Sequence, residues 1–137
     1  MGNLRRVPAF TGITHLCLSV RDLDASLAFY SDVLGLPVLM EPFEGEAFEG
    51  REAMVLVGTT GLGLQKHERN DRSEFDPQRT GLDHIAFKVD SHDELEEWGR
   101  FLDKAGVPRS PIKPCGSFGQ MIELRDPDNV QLEIQHL

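Results

Sequence analysis

Thr14-His15-Leu16-Cys17-Leu18-Ser19-Val20 and, 69 residues further on, Asp83-His84-Ile85-Ala86-Phe87-Lys88-Val89 carry the same pattern. In each, apolar residues alternate with others at period two, as in a strand with one face on a core. The apolar parity is Leu16, Leu18 and Val20 in the first stretch and Ile85, Phe87 and Val89 in the second. The other parity opens on a histidine both times, His15 and then His84.

The segment beyond each strand also repeats. Asp22-Leu23-Asp24 starts a helix whose stripe is Leu23, Leu27, Tyr30, Val33 and Leu34, and Gly35-Leu36-Pro37 stops it. Ser91 caps a second helix with the stripe Leu95, Trp98, Phe101 and Leu102, closed by Gly106-Val107-Pro108. Three short strands come after the first helix, at about 37–42, 52–57 and 61–67, and a polar connector runs from about 68 to 80. Three more are expected around Ile112, over 120–125 and over 130–136, the last two joined by the turn Asp126-Pro127-Asp128-Asn129. The chain is thus a doubled strand, helix, three-strand unit of about sixty residues. The fold class is α+β, one domain over 1–137 built from two modules at about 10–68 and 81–137.

The 23 acidic and 14 basic side chains give a formal charge of -9, which repels phosphate backbones and anionic lipid surfaces, so no nucleic-acid or membrane partner is expected. No run of apolar residues is long enough to span a bilayer, and the opening Met-Gly-Asn-Leu-Arg-Arg-Val-Pro lacks the apolar core of a signal peptide. A cytoplasmic location is the expectation. Cys17 and Cys115 have neither CxxC spacing nor the density of a disulfide scaffold, and both are read as reduced.

Each helix covers one face of its sheet, so the opposite face looks into a cavity or water. His15 and His84 stand on that face, and in the last strand Val130, Leu132 and Ile134 pack on the helix while Gln131, Glu133 and Gln135 lie opposite. Two imidazoles and a carboxylate suit a divalent metal with open positions for substrate or water. Subtracting the repeat offset from Glu133 gives Leu64, of the wrong parity, so a one-residue slip leads to Gly63 or Gln65. Matching Leu64-Gln65 to Leu132-Glu133 makes Gln65 the mate and a fourth ligand. Matching Leu62-Gly63-Leu64 to Leu132-Glu133-Ile134 leaves that corner without a side chain.

Thr14 to Leu23, Ser26-Leu27-Ala28-Phe29-Tyr30 and Val33-Leu34-Gly35-Leu36 resemble the opening of the vicinal oxygen chelate superfamily, the glyoxalase, bleomycin-resistance and dioxygenase group. Asp83-His84-Ile85-Ala86-Phe87 and Arg125-Asp126-Pro127-Asp128-Asn129-Val130-Gln131-Leu132-Glu133 are similar to the second half of that family. The resemblance implies tandem βαβββ modules curled into a half-open barrel around one divalent ion, Zn, Ni, Mn, Fe or Co. His15, His84 and Glu133 fall on ligand positions, with Gln65 or the blank Gly63 at the fourth. Three ligands would match thiol-transferring and oxygenase relatives, and four would match isomerases and epimerases.

The implied activity is metal-dependent chemistry on a small substrate chelated through two neighbouring oxygens, of the glyoxalase or lyase, isomerase or dioxygenase type. Glu133 would move the proton, and Cys17, Gly63, His67 and Phe118 would line the pocket. A homodimer with modules of both chains around each site is implied as well. The competing reading is a bleomycin-resistance type of sequestering protein, in which the acidic stretch Glu41 to Glu52 with Phe43 and Phe48 meets a cationic planar drug. Retention of His15, His84 and Glu133 favours the enzyme. A phosphonate or glutathione carboxylate would need cations, for which Arg5, Arg6, Arg21 and Lys113 are the candidates. Gly58 to Gly63 lacks the Lys-Ser or Lys-Thr of a phosphate loop and reads as a hairpin turn.

Overall fold

The computed structural model describes residues 6–137. Its elements are β1 (His15–Ser19), α1 (Leu23–Ala28) with a π-helical turn (Phe29–Val33), β2 (Val38–Glu44), β3 (Gly50–Val57) and β4 (Thr60–His67). The second half repeats them as β5 (His84–Lys88), α2 (His92–Lys104), β6 (Lys113–Pro114), β7 (Gln120–Arg125) and β8 (Gln131–His136). The sheets run β1-β4-β3-β2 and β5-β8-β7-β6, with the first and last strand of each module paired in parallel. No strand pair joins the two sheets among the described residues, so neither closes into a barrel.

Local chemistry explains the repeats. Asp22 Oδ1 accepts from the Ala25 backbone N–H and Ser91 Oγ accepts from that of Glu94, so each helix starts on a side-chain cap. Gly35 and Gly106 both hold φ 71°, the left-handed turn that ends each helix. Two details depart from the sequence pattern. The first helix widens at its end, where Leu34 N–H donates to Phe29 O five residues back. The strand expected around Ile112 shrinks to Lys113–Pro114, because Pro111 and Pro114 remove donors from any longer ladder.

One apolar cluster takes residues from both halves, including Leu18, Val20 and Tyr30 from the first and Leu95, Leu102 and Leu132 from the second. A polar latch joins the halves beside it. Tyr30 Oη donates to Asp126 Oδ2 at 2.7 Å, and Arg21 Nε donates to Asp128 Oδ1 at 2.8 Å. Both aspartates are buried and lie in the turn before β8. Breaking one such bond leaves its partner unpaired at a cost of about 1–3 kcal/mol. No described helix is long and apolar enough to cross a membrane.

Candidate functional site

In the second sheet, β5 and β8 pair with His84 opposite Gln131 and Ala86 opposite Glu133. The parallel register sets His84 diagonally beside Glu133 on the face away from α2. His84 Nε2 lies 2.9 Å from Glu133 Oε2, and its Nδ1 lies 2.7 Å from Asp83 Oδ1. The Glu133 side chain is 6% exposed and that of His84 43%, so the pair sits at the floor of an open face. Hydrogen bonding to Asp83, against partial burial, lifts the His84 imidazole above its usual range.

Both ring nitrogens of His84 face carboxylate oxygens, so a protonated ring donates to Asp83 and Glu133 together, and in the neutral tautomer with Nδ1–H on Asp83 the Nε2 lone pair faces a Glu133 lone pair. Only a proton or a cation can stand between two such atoms. A nitrogen and an oxygen converging on one point, with the imidazole fixed from behind by a carboxylate, are the donor set and support that divalent metals take. One chain thus supplies two donors of the kind a divalent metal takes, and among the described residues no third His, Cys, Asp or Glu joins them.

In the first sheet the corresponding nitrogen, His15 Nδ1, lies 2.9 Å from Thr14 Oγ1, again the preceding residue. Parallel pairing sets His15 opposite Gly61, Cys17 opposite Gly63 and Ser19 opposite Gln65. Cys17 occupies the place of Ala86, so Gly63 is the mate of Glu133, and the matching that favoured Gln65 is corrected. Parity could not separate positions 63 and 65, which share a face; only the register to β1 does. A Cβ at Gly63 would come 2.5 Å from Cys17 Sγ, so the thiol takes the space a side chain would need. Burial and the nearby Glu52 carboxylate raise the Cys17 thiol above its usual range. Gln65 Nε2 instead donates to Glu52 Oε2 at 3.2 Å.

His67 packs on Phe48, ring centroids 4.5 Å apart, which ties the β2–β3 hairpin to β4. Phe118 lies on the other sheet, 67% exposed on the β6–β7 turn, where its carbonyl accepts from Gln135 Nε2. Among the described residues no three His, Cys, Asp or Glu side chains form a group able to hold a metal. One chain thus brings His84 and Glu133 together and leaves His15, with Cys17, Gly63, Gln65 and His67, on the other sheet.

The sequence pattern missed the supports. Thr14 and Asp83 precede the two histidines, a signal the repeat itself carried. Glu123, opposite Glu133, receives Lys113 Nζ at 2.7 Å, so that cation is neutralised beside the pair. Arg21 is used in the latch, Arg6 is exposed, and Arg5 lies outside the described residues.

Residues 12–134 match the Glyoxalase/Bleomycin resistance protein/Dioxygenase superfamily. The chain belongs to that superfamily. It is 31% identical over 131 residues to the metallothiol transferase FosB of Staphylococcus epidermidis, covering 90% of this chain and 80% of that one. It is 26% identical to the putative ring-cleaving dioxygenase MhqA of Bacillus subtilis, over 92% of this chain and 40% of the relative's length. The glyoxylase/bleomycin resistance protein/dioxygenase domain from Frankia sp. EAN1pec superposes with a TM-score of 0.81 at 32% identity, over 93% of this chain and 98% of that one. The two open βαβββ sheets of this chain are thus the superfamily's fold.

Proposed function

We propose that this superfamily member is a divalent-metal-dependent enzyme acting on a small substrate through two neighbouring oxygens. His84 Nε2 and Glu133 Oε2 hold the metal from one chain, and His15 of the partner subunit completes a three-ligand set in a homodimer. The two modules, at about 10–68 and 81–137, act as one domain whose sheets pair with those of the second copy. The observation that carries this reading is the 2.9 Å convergence of His84 and buried Glu133, with Asp83 behind the imidazole.

A bound divalent ion supplies Lewis-acid stabilisation of charge developing on substrate oxygen. Glu133 takes a proton from the substrate with the oxygen not engaged with the metal and returns it to the product. Gly63 brings no ligand to the fourth corner, where the Cys17 thiol stands instead. Gln65 is a wall residue held by Glu52. Three ligands and the likeness to a metallothiol transferase and a ring-cleaving dioxygenase favour a reaction of the thiol-transferring or oxygenase class. Lys113, matched by Glu123, becomes a free anion contact only when substrate displaces that carboxylate.

Mixing two inactive variants tests the shared site. His15→Ala and His84→Ala chains should each hold little metal. Mixed, refolded heterodimers should recover one intact site, read as metal by mass spectrometry and as restored turnover. Recovery absent from correctly formed heterodimers rejects the shared site. Metal retained by His84→Ala alone rejects the ligand set.

A further inference from the structure

Where the far end of β5 meets α2, a groove of about 510 Å³ lies at the seam of the modules. A cavity of about 140 Å³ adjoins it, sharing Leu34, Lys88, Val89 and Trp98. The elements account for the opening. α2 buries Leu95, Gly99 and Leu102 as one stripe, which leaves Trp98 and Phe101 on its flank. Across from them the chain turns away at Gly35, and Leu34 and Gly35, which follow the first helix, form the opposite wall of the groove.

The lining has a definite chemistry. Leu36, Val57, Phe87 and Ile134 give the adjoining cavity an apolar lining. The Trp98 and Phe101 rings meet edge to face at 5.4 Å, with Phe101 45% exposed. The rim carries Asp90, Glu94 and Glu97 against Lys88, and Lys88 already lies 3.7 Å from Asp90. Glu94 Oε2 accepts the Asp90 backbone N–H at 2.6 Å. Glu97 has no hydrogen bond or ion pair among the described residues, and it neighbours Trp98.

Aromatic rings beside an unmatched carboxylate, next to an apolar cavity, attract a cation that carries an apolar body. An anion meets repulsion from the rim, and a neutral apolar molecule gains nothing from it. The formal charge of -9 draws cations in the same sense. We propose that the seam is a binding site for a hydrophobic organic cation, an ammonium or amidinium borne on a ring or short alkyl body. It shares no residue with the His84–Glu133 pair.

Trp98 is the sole tryptophan, so its emission reports occupancy directly. The full chain is titrated with benzyltrimethylammonium, with benzyl alcohol and benzoate as neutral and anionic matches. The ammonium should give a saturable emission change, roughly tenfold tighter than either match and weaker in high salt. Glu97→Gln should weaken it about two- to fivefold, the scale of one partly solvated charge contact. Phe101→Lys should abolish it with the far-UV dichroism retained, and Glu96→Gln, which faces His92, should leave it unchanged. A chelator should not alter the titration, so the result is independent of the metal centre. Equal responses to all three molecules overturn the proposal, as does unchanged affinity in Glu97→Gln and Phe101→Lys. A Trp98 signal that varies with protein concentration without ligand also overturns it, and assigns the groove to a second copy.

Discussion

Asp83 precedes His84 and holds its Nδ1 at 2.7 Å, while Thr14 stands in the same relation to His15. A carboxylate partner holds the ring's orientation and keeps the proton on Nδ1, whereas the Thr14 hydroxyl, able to donate or accept, holds only the orientation. Asp83→Asn should therefore lower metal affinity by about 10- to 100-fold without loss of fold, as outer-shell changes typically do. Calorimetric titration of the metal-free variant measures it; unchanged affinity would show that Asp83 is a surface acid only. That His84 and Glu133 share the parity opposite the apolar one was legible because alternation fixes which side chains face away from the helix. Asp83 and Thr14 were equally visible in the repeat, but a side chain's turn toward its own neighbour leaves no periodic trace.

At the scale of the element, the repeat gave each helix its cap and its stop, and each first strand its oily face. It did not give the register of β4 on β1. Leu62 and Leu64 are both buried, which puts Gly63 and Gln65 on one face whichever aligns with Glu133. Pairing with Cys17 decides for Gly63, and the close approach there makes a prediction. Gly63→Ala should cost about 0.5–1.5 kcal/mol, because the exposed Cys17 thiol must leave its present rotamer. Adding Cys17→Ala should return most of that loss, and the non-additivity is read from urea midpoints of the four chains. The β7 register was illegible for a different reason: five residues separate Arg125 from its partner Gln131, so the turn alone does not set which residue faces Glu133. The shortened β6 results from two prolines that a hydrophobicity pattern does not weigh.

Over the whole molecule, the halves are joined by a shared core and by the latch at Asp126 and Asp128. Burial lifts the Asp126 carboxyl above its ordinary value, although Tyr30 and two backbone N–H groups favour its ionised form. The folded chain then holds this proton more tightly than the unfolded one. Its stabilising contribution is complete below the unfolded value near 3.8 and is lost as pH rises through the raised folded value. Asp126→Asn, which keeps an acceptor for the backbone N–H groups, should flatten that slope in urea midpoints measured across the window.

Arg21 and Tyr30 reach across to Asp128 and Asp126, so the halves are joined by side-chain contacts as well as by the peptide link. The exposed stretch around Arg79 is a natural place for a protease to nick. Trypsin cutting there should yield two fragments on a denaturing gel that still elute as one particle from a sizing column. The protein is thereby suited to being split into two separately expressed pieces that find each other again.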